Sequence, residues 1–233
     1  MINGIKVIGF DADDTLWVNE AYFVETERKW RRLLAPYTGE EAASAELYRT
    51  EMQNMPLYGY GVKAYVLSLV ETAVRITEGN VAAEVIGQIL SLGKEQLSRP
   101  VELLEGVEET LGALAGRYRL ILVTKGDLLD QEQKLHRSGL ERFFHHVEIM
   151  SDKTEKAYAG LLHRIGIRPE AFLMIGNSIR SDILPPLSLG SYAIHVPSLA
   201  VWEHEKADAP LAHPHSYTVG SLKEIIPLLR VES

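Results

Sequence analysis

Two carboxylates two residues apart, Asp11 and Asp13, follow an apolar run at residues 5–10, with Asp14 and Thr15 directly behind. That much negative charge in one turn calls for a cation or a shared proton. Magnesium would meet the need, because it takes carboxylate, carbonyl and water oxygens. Asp and Thr also favour plain capped turns, so the cluster gains weight from its company. Three further clusters provide it. Thr124-Lys125-Gly126-Asp127 sets a hydroxyl, a glycine and helix-start N–H groups where a phosphate could be held. Lys153 and Lys156 open a predicted helix, where positive charge opposes the dipole unless an anion or carboxylate offsets it. Gly176-Asn177-Ser178-Ile179-Arg180-Ser181-Asp182 follows another apolar run. There Asn177 offers a neutral oxygen to a metal, and Asp182 a carboxylate to a lysine or a metal-bound water. Each cluster also has an ordinary reading: helix N-caps, a strand-to-helix turn, or two solvated lysines.

The elements that must position these groups are short and buried. Apolar runs predict strands at 5–10, 120–124, 147–150, 172–175 and 192–196, with a last strand near Tyr217. Helical segments alternate with them at 107–117, 127–138, 154–165, 179–189 and 221–230. Such βα alternation predicts a parallel sheet with helices on both faces, and ligands bind at the carboxyl ends of its strands. Residues 19–98 break the rhythm. Phe23, Trp30 and Leu34 recur at helical spacing, and further helices are expected at 40–54, 61–77 and 81–97, closed by Pro100. The predicted fold class is therefore α/β, a Rossmann-like parallel sheet core with an inserted α-helical domain. Its core comprises residues 1–18 and 99–233, and its insertion residues 19–98.

Composition bounds the rest. The 233 residues carry 24 Lys+Arg against 32 Asp+Glu, a net charge of −8, which argues against a broad nucleic-acid surface. With no cysteine, disulfides, zinc–thiolate sites and thiol catalysis are excluded. Apolar runs are too short for a membrane span, and residues 1–10 lack the long apolar stretch of a secretory signal. A soluble, cytoplasmic protein is expected, its partner a small molecule and neither nucleic acid nor membrane. His195, His204, His213 and His215 match no helical metal pair and read as a solvated loop. Gly59-Tyr60-Gly61 lacks the strand and third glycine of a dinucleotide fingerprint, and no Gly-x-Ser-x-Gly is present.

Taken together, Phe10-Asp11-Ala12-Asp13-Asp14-Thr15-Leu16, Thr124, a lysine and Gly176-Asn177-Ser178-x-x-x-Asp182 resemble the haloacid dehalogenase-like (HAD) hydrolase superfamily. The resemblance covers essentially the whole chain and is to the phosphatase type, with residues 19–98 in the place of a helical C1-type cap. It implies Mg²⁺-dependent hydrolysis of a phosphomonoester of a small phosphorylated metabolite through an aspartyl-phosphate. By the same resemblance Asp11 is the nucleophile and Asp13 the general acid/base, while Thr124 and the Lys125 N–H hold phosphate. Lys153, or alternatively Lys156, stabilises the transferring charge. Asp11, the Asp13 carbonyl and Asn177 hold the metal, and Asp182 supports the lysine or a metal water.

Two departures stand out. The chain reads Lys153-Thr154-Glu155-Lys156 where many relatives have Lys-Pro-x-Pro, and Asn177 stands where many place an aspartate. Asp13 favours phosphatase over dehalogenase, because a departing halide needs no proton. Phosphomutase, phosphonatase and dehalogenase chemistry, or a non-enzymatic phospho-acceptor or binding module, are the alternatives.

Overall fold

In the computed structural model, which describes residues 2–198, 202–205, 207 and 213–229, every residue of the first strand, β1 (Val7–Phe10), is buried. A strand with both faces buried needs a packed layer on each side. Gly9 permits the closest approach, since a Cβ there would lie 2.7 Å from the Phe172 ring. The other strands are β2 (Arg119–Lys125), β3 (His146–Met150), β4 (Phe172–Gly176), β5 (Tyr192–His195) and β6 (Ser216–Thr218). All pair in parallel, in the order β3-β2-β1-β4-β5-β6, with Phe10 opposite both Leu122 and Ile175. The predicted Rossmann-like parallel sheet is thus the observed one.

Alternate residues feed two cores. Ile8, Phe10, Leu122 and Ile175 pack with Leu111, Leu114, Leu135 and Ile225, so helices α5 (Val107–Ala115) and α6 (Leu128–Ser138) contribute to one face. Val7, Val123 and Met174 pack with Tyr158, Leu161 and Leu162 of α7 (Glu155–Ile165) on the other. Edge strand β3 carries Glu148, paired with Arg164, a charged edge that discourages further strand addition.

Two elements differ in type from the sequence expectation. Residues 179–189 form a π-helical turn, Ile179–Ile183, followed by a short α8, Leu184–Ser188. Pro185 has no N–H for the Ser181 carbonyl, which accepts instead from the Tyr158 hydroxyl at 3.1 Å. The segment expected as helix 221–230 is a 3₁₀ helix, Leu222–Leu228, containing Pro227, and residue 230 lies outside the described residues.

The chain divides into two compact units. One comprises Met1–Glu20, Val101–Lys125 and Gln131–Ser233; the other comprises Ala21–Pro100 and Gly126–Asp130. The second unit therefore starts and ends two residues later than the 19–98 insertion and gains a short remote segment. Its helices are α1 (Glu20–Leu34), α2 (Glu40–Tyr58), α3 (Val62–Ile76) and α4 (Ala83–Leu97). α2 runs four residues beyond the expected end at Asn54, through Pro56, and stops at Gly59 with φ 72°. Trp30, Leu34, Leu47, Leu69 and Ile89 form its core, and the Trp30 indole donates to the Leu69 carbonyl at 3.2 Å. Gly93 lets α4 approach α3, because a Cβ would lie 2.3 Å from Val66. Among the described residues no helix is long and apolar enough to cross a membrane.

Half-buried Glu51 on α2 carries a pH dependence within this unit. Burial, and then the nearby Glu27 charge, lift its pKa to about 8. Between its ordinary value and about 8, the unfolded chain ionises Glu51 while the folded unit keeps it protonated. Stability therefore falls as pH rises through that window, by at most about 1.4 kcal/mol per pH unit. Glu51→Gln should stabilise the chain by about 2 kcal/mol at pH 8, allowing for residual hydration, and negligibly near pH 4. Urea midpoints at the two pH values check this; equal shifts at both would remove the effect from Glu51.

Candidate active site

Strand order explains where the polar groups gather. From β1 the chain works outward to β2 and β3 on one side, and to β4, β5 and β6 on the other. The carboxyl ends of β1 and β4 thus border the switch point, where open α/β sheets bind ligands. Asp11 follows β1 and donates its N–H to the Ile175 carbonyl at 2.9 Å. Thr124 lies near the end of β2, Lys153 three residues beyond β3, and Asn177 one residue beyond β4.

Lys153 is the centre of the site. Its buried ammonium donates to Asp11 Oδ1 and, at 2.6 Å, to Asp182 Oδ1. Two buried carboxylates share one cation, so the trio is net negative. Burial, and then repulsion from Asp182, lift the Asp11 pKa to about 7 against the pull of Lys153. Burial opposes the charge on Lys153 too, but Asp11 and Asp182 outweigh it and hold the ammonium above its ordinary value. Asp182 Oδ2 also accepts the Ser178 N–H at 3.0 Å. Gly176 leaves room for that carboxylate, since a Cβ there would lie 2.3 Å from Asp182 Oδ2.

Lys153 does not open the helix, contrary to expectation. It precedes the N-cap, Thr154, whose hydroxyl accepts the Ala157 N–H, so the lysine stands outside the first helical turn and its charge is offset by Asp11 and Asp182. Lys156 is exposed in the first turn of α7 and is not brought into the cluster.

Thr15 links the motif after β1 to the motif after β4. Its hydroxyl donates to Asp11 Oδ2 at 2.9 Å and lies 3.3 Å from Asn177 Oδ1. His195 Nε2 sits 3.0 Å from the Asn177 carbonyl. Carboxylate, amide and carbonyl oxygens form a hard donor set, which suits Mg²⁺. Among the described residues no three His, Asp or Glu side chains gather as a metal cluster, so a cation here would need amide and carbonyl oxygens as well.

Asp14 does not add its charge to this set. Its carboxylate accepts the backbone N–H groups of Asn19 and Glu20 at the start of α1. It does so from φ 60°, a left-handed conformation that Asp tolerates. Burial, working against those two hydrogen bonds, lifts its pKa to about 6.

Asp13 is gripped by three donors. Trp17 Nε1 at 2.7 Å and Lys134 Nζ at 3.0 Å reach Oδ1, and Gln131 Nε2 at 2.7 Å reaches Oδ2. Beside the site the Lys125 side chain meets Ser181 Oγ at 3.0 Å and the Glu205 carboxylate. Glu205 also accepts from Ser178 and Ser181. Burial alone would raise its pKa, but the Lys125 charge and these hydrogen bonds hold it at about 2.

Trp17, Gln131, Lys134 and Glu205 were not singled out in the sequence. Gln131 had a signal: it shares the buried face of α6 with Leu135, four residues on, where a glutamine needs a partner. Of the four histidines, His195 reaches Asn177 and His215 stacks on Tyr192 at 4.1 Å.

An acidic pair on a buried lysine thus lies at the switch point of a parallel sheet, where open α/β folds bind ligands. The family model for haloacid dehalogenase-like hydrolases matches residues 5–190, and the chain belongs to that family. It is 34% identical to a haloacid dehalogenase-like family hydrolase from Xanthomonas campestris, with a TM-score of 0.86 over 96% of this chain and 94% of that one. It is 28% identical over 207 residues to the glyceraldehyde 3-phosphate phosphatase of Methanothermobacter thermautotrophicus, covering 83% of this chain and 86% of that protein. Against N-acylneuraminate-9-phosphatase of Homo sapiens it is 27% identical over 169 residues, 69% of this chain. That match spans 65% of the relative's length, just under two thirds.

Proposed function

We propose that the protein is a Mg²⁺-dependent phosphomonoester hydrolase acting on a small phosphorylated metabolite through an aspartyl-phosphate on Asp11. The observation that carries this reading is Asp13, a second carboxylate two residues from Asp11 and held by Trp17, Gln131 and Lys134. A halide departs without a proton, whereas an alkoxide leaving a phosphate ester needs one. The phosphatases among its relatives support the same choice.

Asp11, the Asp13 carbonyl and Asn177 would hold the Mg²⁺, which when bound offsets the repulsion between a carboxylate and a phosphate dianion. An Asp11 oxygen attacks phosphorus as the ester P–O bond breaks, and Asp13 gives its proton to the departing alkoxide. Water then attacks the phosphorus of the aspartyl-phosphate, Asp13 takes the water proton, and Asp11 is restored as inorganic phosphate leaves. Thr124 and the Lys125 N–H orient the phosphate oxygens, and Lys153 carries positive charge against the transferring group. Asp182 holds Lys153 in place. The helical unit is proposed as a cap that excludes bulk water and favours small substrates. The cysteine-free composition fits a cytoplasmic setting.

Phosphate release from an array of phosphomonoesters, with and without Mg²⁺, tests the proposal. Metal-dependent release from at least one alkyl ester is expected; no release from any ester would overturn it. Asn177 can be tested separately. Asn177→Asp adds a negative charge to the donor set and should tighten Mg²⁺ binding about 10-fold by calorimetric titration. Unchanged affinity would remove Asn177 from the ligand set.

A further inference from the structure

The Asp13 carboxylate is not held symmetrically. Oδ1 takes two donors, the Trp17 indole and the Lys134 ammonium, while among the described residues Oδ2 takes only the Gln131 amide. A carboxylate oxygen has two favourable acceptor directions, so Oδ1 is filled and Oδ2 keeps one open. The grip is itself braced. Lys134 also donates to Asn19 Oδ1 at 2.9 Å, and Gln131 Nε2 to the Lys125 carbonyl at 3.1 Å. Because both partners of that Nε2 are acceptors, the orientation of the amide is fixed. Its other end is the second observation. Gln131 is 3% exposed, yet its Oε1 has no hydrogen-bond partner among the described residues. A buried carbonyl left without a donor is costly, and here it accompanies an amide whose Nε2 end holds Asp13 and the Lys125 carbonyl.

We propose that Lys134 and Gln131 are positioning residues that confine the proton traffic of Asp13 to Oδ2. Lys134, with Trp17, blocks Oδ1 and fixes the rotation of the carboxyl group. Gln131, fixed by the Lys125 carbonyl, aims Oδ2 through its Nε2–H. The inference rests on the phosphatase reading, in which Asp13 protonates the leaving group.

The test separates proton delivery from general structure. p-Nitrophenolate leaves readily without a proton, whereas an alkoxide does not, so misplacing Asp13 harms the alkyl ester selectively. The probes are p-nitrophenyl phosphate and the alkyl phosphomonoester that the array shows to be turned over fastest. In Lys134→Met the ratio of alkyl to aryl kcat/KM should fall about 30-fold, and in Gln131→Leu about 10-fold. Lys134→Arg, which keeps a donor within reach of Oδ1, should restore most of the ratio. A ratio equal to that of the parent in both Lys134→Met and Gln131→Leu would overturn the proposal, even if both activities fell together. A parent protein that releases phosphate from neither ester would overturn the phosphatase reading and this inference with it.

Discussion

Asp11→Asn should lower phosphate release by about 10⁴-fold or more while leaving the chain folded. An amide oxygen cannot form the acyl-phosphate, and losses of this size accompany removal of a catalytic nucleophile. The fold should survive because Lys153 keeps Asp182 as its partner. The substitution also relieves the crowding that burial and Asp182 impose on Asp11. Release measured on the best ester of the array, with circular dichroism as the fold control, decides the matter. A folded Asp11→Asn protein with more than about a tenth of parental activity would remove Asp11 from the nucleophile's role.

Lys153→Met should cost about 3–5 kcal/mol of stability near neutral pH, the usual result of removing one partner from a buried ion pair. The lysine side chain is almost wholly enclosed, and both Asp11 and Asp182 lose their cation with it. Unpaired buried acids prefer to be protonated, so their folded pKa lies above the unfolded value. The deficit should therefore be small in acid and grow as pH rises through the ordinary carboxylate range. Lys153→Met combined with Asp182→Asn should recover part of the loss, since one buried charge is gone. Urea midpoints for the parent, single and double variants at pH 5 and 7.5 provide the check. A single variant with the parental midpoint at both pH values would contradict the argument.

Much of the sheet was legible because buried parallel strands leave a plain mark. Val7 to Phe10 are apolar on both faces and stop at Asp11, and the runs of β2 and β4 do the same ahead of Thr124 and Asn177. Lys153 was the nearer lysine to its strand end, and the structure brings it to Asp11 and Asp182. Other features hid for physical reasons. Lys134 looks like the polar face of a helix until Asp13, more than a hundred residues earlier, is set against it. Glu205 sits in a Pro- and His-rich stretch with no periodicity, and only the folded chain brings it to Lys125, Ser178 and Ser181. The Ser181 carbonyl, which finds no N–H on Pro185, is taken by the Tyr158 hydroxyl, a pairing that no local pattern records. Asp14 misled in the opposite direction, because a carboxylate beside two others reads as part of their cluster and not as the partner of the Asn19 and Glu20 amides.

The indole beside Asp13 has a consequence of another kind. Tryptophan emission responds to charge at hydrogen-bonding distance, and the fully buried Trp17 nitrogen lies 2.7 Å from Asp13 Oδ1. The other two tryptophans report elsewhere: Trp30 lies in the core of the helical unit, and Trp202 beside His204 in the stretch that carries Glu205. Fluorescence therefore divides the chain into three territories. Replacing two indoles by phenylalanine leaves one reporter in the chosen region, and with Trp17 alone the surroundings of Asp13 become visible as a colour shift without any attached dye.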